Sequence, residues 1–195
     1  MAYIEKTAFE ARITNKQNND LDNIAGLFVN GNGDAEVCSA GFLCKRSELT
    51  ESVGYPAGVE NENTDKMVAA VAGDKADEEI YACNTYDVRL ISDGTNAWAV
   101  GRNVLGIPAP AGREVTFTKI DFQGDRKYRF GIGNVNGTVG SNCFATIADG
   151  LFVPAAAAPT TAGAVYFKIL REGNFTEGNR ASFGYVDVEA HRVFA

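Results

Sequence analysis

Apolar and polar residues alternate with a period of two through much of the second half of the chain. Tyr86, Val88 and Leu90 alternate with Asp87 and Arg89, Val115 and Phe117 with threonines, and Tyr128 and Phe130 with Arg129. Near the end, Val186, Val188 and Ala190 alternate with Asp187, Glu189 and His191. Successive side chains of a strand point to opposite faces, so each run predicts a half-buried strand. Turn signals separate the runs: Asp93-Gly94, Gly101 after Ala97-Trp98-Ala99-Val100, Gly131 and Gly133, Asn136-Gly137 and Asp149-Gly150. Short strands punctuated in this way predict a mainly β protein, an antiparallel β-sandwich or barrel with little helix and with strands concentrated after residue 80. The run Ala155–Ala158 favours helix by propensity, but Pro154 and Pro159 bracket it, so it reads as an extended or turn segment linking two strands.

Residues 1–55 have a different texture. Phe9, Ala11 and Ile13 alternate with Glu10 and Arg12 as a short strand does, and residues 15–20 are wholly polar, a loop or an extended arm. Leu21, Ile24 and Leu27-Phe28-Val29 suit one helical turn running into a strand, closed by the turn signal Asn30-Gly31-Asn32-Gly33-Asp34. The expected organisation is an irregular N-terminal arm with short strands over 1–55 and a β-rich body over 56–195, or one continuous domain over 1–195. Between Asn61 and Gly73 the run Met67–Ala72 suits either a helix capped by Thr64 or a buried strand, and strand is preferred. A phrase also recurs: Ile107-Pro108-Ala109-Pro110-Ala111-Gly112 leading to Phe117-Thr118-Lys119-Ile120, and Val153-Pro154 with its alanines leading to Gly163 and Phe167-Lys168-Ile169. It predicts comparable strand positions for 105–120 and 151–169, as in a degenerate duplication.

Composition narrows the function classes. The formal charge is −7, and the densest basic stretch, Arg126-Lys127-Tyr128-Arg129, sits beside Asp121 and Asp125. Nucleic-acid binding needs a clustered basic footprint, so no nucleic-acid partner is expected. No apolar run approaches the roughly 20 residues that span a bilayer, so no membrane partner is expected either. Met1–Lys6 has neither a basic leader nor an apolar h-region, which predicts no signal peptide and synthesis in a cytoplasm. Cys38, Cys44, Cys83 and Cys143 then read as free thiols, with spacing that fits no zinc pattern. Cys83 and Cys143 lie in apolar runs and read as small core side chains, while Cys38 and Cys44 are the pair that would bridge under oxidising conditions.

Candidate chemistry is sparse. His191 is the single histidine, so any nucleophile–base pair must use it, yet it falls on the outward face of its strand two residues from Glu189. Glu78-Glu79 and the pair Asp20, Asp22 offer carboxylates for acid–base work, but read as solvated loop residues. Asn30, Asn32, Asp34 and Glu36 have the alternate spacing of a calcium loop but lack its full signature, and the same string is a hairpin turn signal. Gly131-Ile132-Gly133 lacks the spacing of a dinucleotide fingerprint and reads as a strand terminator. Asn136-Gly137-Thr138 and Asn174-Phe175-Thr176 are formal glycosylation sequons without a secretory signal. Tyr128, Phe130, Tyr166, Phe167, Phe175, Phe183 and Tyr185 read as core and subunit contacts, with a sugar-stacking platform as the functional alternative. No catalytic, cofactor-binding or metal-ligating residue is assigned, and no enzymatic activity is expected.

Several words along the chain carry a resemblance: Glu5-Lys6-Thr7-Ala8-Phe9-Glu10-Ala11, Asn18-Asn19-Asp20-Leu21, Ile80-Tyr81-Ala82-Cys83-Asn84-Thr85, Leu105-Gly106-Ile107-Pro108-Ala109 and Thr146-Ile147-Ala148-Asp149-Gly150-Leu151. Across most of its length the chain resembles small structural proteins of the head-gene region of tailed bacteriophages and prophages of Firmicutes-type gut bacteria, of the capsid decoration (cement) or head-fibre type. The resemblance implies a non-enzymatic virion protein that stabilises the head exterior, self-associates as a trimer and has the major capsid protein as partner. The alternative is a receptor- or carbohydrate-binding module of a tail or fibre.

Overall fold

The computed structural model describes residues 9–12, 23–47, 65–71, 73–75, 79–84, 90–92, 97–99, 108, 111–175 and 183–194. The chain is mostly β, as the alternation predicts. The strands are β1 (Phe9–Arg12), β2 (Asn23–Phe28), β3 (Leu43–Arg46), β4 (Asp65–Ala69), β5 (Ile80–Asn84), β6 (Leu90–Ser92), β7 (Ala97–Ala99), β8 (Val115–Lys119), β9 (Gln123–Gly131), β10 (Phe144–Ala148), β11 (Leu151–Ala155), β12 (Val165–Phe175) and β13 (Phe183–Arg192). One 3-10 turn, Ile132–Asn134, follows β9, so Gly131-Ile132-Gly133 does end a strand. Five strands close a barrel in the order β2-β4-β3-β5-β8, six form a sheet in the order β1-β9-β13-β12-β10-β11, and β6 and β7 make a separate hairpin.

Among the described strands every pair is antiparallel but one. β2 and β4 run parallel, with Leu27 opposite Lys66 and Phe28 opposite Met67. The segment after β2 folds back on the strand's end, where Ala35 bridges Val29 and the Glu36 N–H donates to the Phe28 carbonyl at 3.1 Å, and buries Val29, Cys38 and Ala40 before β3. β4 then takes the place beside β2. The ambiguous run at 64–73 is thus a strand over Asp65–Ala69, and Ile24 lies in extended β2. The division expected at residue 55 does not follow the strand order: β2 and β3 are staves of the same barrel as β4, β5 and β8.

The barrel and the sheet share one core. Phe28, Cys38, Cys44, Met67, Tyr81, Cys83 and Phe117 fill the barrel interior. Gly26 has no side chain because a β-carbon there would stand 2.9 Å from Met67 Cγ and 3.0 Å from Phe117 Cδ2. On the outer wall, Leu43, Ile80 and Ala82 pack with Tyr128, Phe130, Phe152, Phe167, Val186 and Val188 from the sheet. β5 is therefore apolar on both faces and reads as a continuous run, where a half-buried strand would alternate. Phe152 stands edge-on between Phe130 and Phe167, with ring centroids at 4.5 and 4.6 Å, an arrangement favoured by the ring quadrupoles.

Two polar joints reinforce the shared core. Asp149 and Gly150 both have positive φ, at 48° and 74°, and form the two-residue turn between β10 and β11, as that dipeptide predicts. Gly150 also docks on the barrel: its N–H donates to the Ala70 carbonyl at 2.8 Å, and its carbonyl accepts from the Leu43 N–H at 2.9 Å. Fully buried Asn134 donates to the Ala40 carbonyl at 2.9 Å. By contrast, Asn136-Gly137 turns no hairpin, since β9 has already ended at Gly131 and β10 begins at Phe144. The recurring phrase occupies unlike positions: Phe117 lies on β8 between β2 and β5, Phe167 on β12 between β13 and β10. Part of the first copy (105–107, 109 and 110) lies outside the described residues.

Candidate functional site

The outward face of the large sheet carries three of the sequence-predicted candidates, Tyr166, Tyr185 and His191. β13 presents Tyr185, Asp187, Glu189 and His191 there, and β9 sets Arg129 opposite Asp187 and Lys127 opposite Glu189. A bulge between Ile169 and Arg171 sets Leu170 aside and shifts the phase of β12, so that Arg171 rather than Leu170 faces Asp187. Arg129 grips Asp187 with two bonds, Nε to Oδ1 at 2.7 Å and an Nη to Oδ2 at 2.9 Å, and Arg171 shares Oδ2 at 2.8 Å. The Arg129 guanidinium lies 3.8 Å from the centre of the Tyr185 ring, and that ring covers Gly173, where a β-carbon would stand 2.6 Å from its hydroxyl. This face is expected to be solvated, yet Arg129 and Asp187 are buried. They are buried because each is matched with the other and stacked under an aromatic ring.

His191 lies on the outward face as expected and is half-buried. Its Nε2 is 3.4 Å from Glu189 Oε2, and its ring stacks on Tyr166 with centroids 5.4 Å apart and 19° between planes. Phe144 meets the edge of Tyr166 at 5.9 Å. A row Phe144–Tyr166–His191 therefore runs across β10, β12 and β13. Tyr128, Phe130 and Phe167 are core, whereas the Phe175 and Phe183 side chains lie outside the described residues.

The other candidates are engaged in local structure. Glu79, at a positive φ of 49°, accepts from Lys119 Nζ at 2.6 Å and from the Tyr81 hydroxyl at 2.7 Å. The Lys119 bond, with that of Tyr81, holds its carboxyl below the usual range. Glu78, Asp20 and Asp22 lie outside the described residues. Asn30 Oδ1 accepts the N–H groups of Asn32 and Asp34 at 2.9 and 3.0 Å, which is the work of a turn. Among the described residues no group of three or more His, Cys, Asp or Glu side chains is placed to hold a metal ion. Asn136 and Asn174 of the two sequons are exposed.

The cysteines divide differently from expectation. Cys38, Cys44 and Cys83 are free thiols buried together in the barrel, and Cys38 contacts both of the others. Hydrogen bonding with Cys44 pushes the Cys38 thiol well up, bonding with Cys38 does the same for Cys83, and burial raises Cys44. Cys143, read as a core side chain, is exposed. It lies in the loop before β10, with its Sγ 3.7 Å from the Ser141 carbonyl.

One feature has no counterpart in the sequence reading. A groove of about 740 Å³ opens on the barrel, within the size range of ligand-binding clefts. Phe28 and Phe42 form its floor, edge to face at 5.3 Å. Val68 and Ala69 line a wall, and the exposed side chains of Val37 and Val71 stand at the rim. Asn30 and Ser47 also line it, and the charged groups of the described lining are Glu36, Asp149 and Lys45, the last bound to Asp74 at 2.8 Å. Asp74 also accepts the Val71 N–H at 2.8 Å, fixing that rim. The groove escapes sequence reading because its rim comes from loops, where periodicity says nothing about burial.

Among the described residues, no helix is long and apolar enough to cross a membrane. Comparison with protein-family models, curated proteins and solved structures finds no match for this chain.

Proposed function

We propose that this protein is a non-enzymatic structural component of a bacteriophage particle, made in the bacterial cytoplasm, that binds the major capsid protein and stabilises the head exterior. The observation that carries the reading is the use made of its ionisable groups. Arg129 and Arg171 share the Asp187 carboxylate on the sheet, Glu79 is held by Lys119 and Tyr81, and Lys45 is held by Asp74. The Arg129–Asp187–Arg171 group ties β9, β13 and β12 together, and a barrel packed against a sheet through a common apolar layer suits a part that must hold its shape on a shell. The −7 charge supports a place outside the packaged nucleic acid, which repels an acidic protein. The resemblance of the chain to head-region proteins supplies the partner and the trimer. To test this, purified protein is mixed with capsids lacking it. Co-sedimentation and a higher capsid disruption temperature are expected, and neither occurring would end the cement reading.

A second reading, a carbohydrate- or receptor-binding module of a tail or fibre, is favoured by the outward row Phe144–Tyr166–His191. Aromatic faces beside polar groups suit stacking against sugar rings. It predicts signal on a glycan array that Tyr166→Ala abolishes.

A further inference from the structure

The molecule carries two unlike apolar features. One is the groove floored by Phe28 and Phe42. The other is Phe194, the most exposed of the large hydrophobics among the described residues at 71%, with the Arg192 guanidinium 4.9 Å above its ring. This knob is held firmly: Val193 N–H donates to the Ala164 carbonyl and its carbonyl accepts from Gly163 N–H, both at 2.9 Å. Phe194 is not among the residues that line its own groove. We infer that the Arg192–Phe194 knob of one copy seats in the groove of a second copy, making a head-to-tail contact between identical chains.

Charge and shape both favour this occupant. Among the described residues, the groove lining carries Glu36 and Asp149 against one cation, Lys45, and that cation is already bound to Asp74. Asp34 lies beside Glu36 on the same turn, bonded like it to Asn30 Nδ2 at 3.4 Å. An apolar ring with a guanidinium on its face matches an apolar floor with a carboxylate rim. Arg and aromatic residues are also the usual anchors of protein interfaces. A knob and a groove at different places on one surface give a heterologous contact, which closes into a ring when the rotation between copies allows it. The inference deepens the virion reading, which calls for self-association without naming the surfaces, but does not depend on a capsid.

Sedimentation velocity over a range of concentrations tests it. Wild type should self-associate, and Phe194→Ser, Arg192→Glu and Val37→Asp should each raise the concentration required by about tenfold or more. All three sites are exposed, and circular dichroism will show that the variants fold. The decisive arm mixes Phe194→Ser with Val37→Asp. The first keeps its groove and the second its knob, so the mixture should form a one-to-one dimer that grows no further. A monomeric wild type, variants that associate normally, or a mixture that stays monomeric would each overturn the contact. Capsid co-sedimentation of the same variants separates the two readings. Self-association without capsid binding removes the virion reading alone, and capsid binding without wild-type self-association removes the knob-and-groove contact alone.

Discussion

The ring of Phe42 occupies the space that a side chain on Gly150 would need: a β-carbon there would stand 2.3 Å from both Cε1 and Cζ. The close approach lets the β10–β11 turn reach the barrel backbone at Leu43 and Ala70. Gly150→Ala is expected to destabilise the fold by roughly 2–4 kcal/mol, combining overpacking with a φ of 74°. Gly163→Ala is the control. It shares the positive φ, at 80°, but its nearest neighbour is the flexible Lys75 side chain at 3.6 Å, so a loss of about 1–2 kcal/mol is expected. Urea midpoints of the two variants check the difference.

Asp187 is the anion between two guanidinium groups. Replacing it by Asn keeps the shape and removes the charge, leaving buried Arg129 without its bidentate partner. A loss of about 3–5 kcal/mol is expected. Arg171→Ala should cost at most about 1 kcal/mol, because that side chain is 56% exposed. Equal losses for the two variants would show that the cluster is held together by something other than the Arg129–Asp187 pair.

Stability should fall at high pH. Burial, helped by Glu79, pushes the Tyr81 hydroxyl up to about 12, and burial does the same for Tyr128. Both pKa values are raised in the folded state, so their contribution is complete below about pH 10 and is lost as pH rises towards 12. The buried thiols of Cys38, Cys44 and Cys83, also raised, act in the same sense from about pH 9. Tyr128 accounts for roughly 2–3 kcal/mol by pH 12, and Tyr81, more open to solvent screening, for less. Urea midpoints at pH 8, 10 and 11 should decline steadily, and a flat profile would contradict the burial of these groups.

Thiol labelling should be selective. In native protein a maleimide is expected to modify Cys143 alone, and in denaturant all four cysteines. Mass spectrometry counts the adducts. Rapid native labelling of Cys83 would mean that the barrel opens readily.

The faces of the strands were legible from alternation, and their partners were not. The pattern around Val186, Val188 and Ala190 identifies the core face of β13, and Asp149-Gly150 identifies the turn between β10 and β11. Asp187, however, meets Arg129 across 58 residues of chain, and a period of two carries no register between distant strands. The same limit hides the parallel β2–β4 pair, since apolar periodicity does not encode strand order. Cys143 shows a further limit: its carbonyl accepts the Ile169 N–H at 2.8 Å, yet an apolar neighbourhood in sequence does not bury its side chain, which stays exposed. The groove was illegible for the related reason that Val37 and Val71 belong to loops brought together only by the closed barrel.

The closure of that barrel sets a schedule on how the chain can be made. Asn23 on β2 accepts a hydrogen bond from Thr118 on β8, 95 residues later. At ordinary rates of chain synthesis that interval lasts roughly 5–20 s. During it β2, β3, β4 and β5 can pair, yet β2 and β5 each keep an edge that only β8 covers. Unprotected edges of this kind are where nascent β chains join the wrong neighbour. Yield in the cell should therefore depend more on how fast residues 115–119 arrive, and on what shelters the half-built barrel meanwhile, than on the stability of the finished molecule.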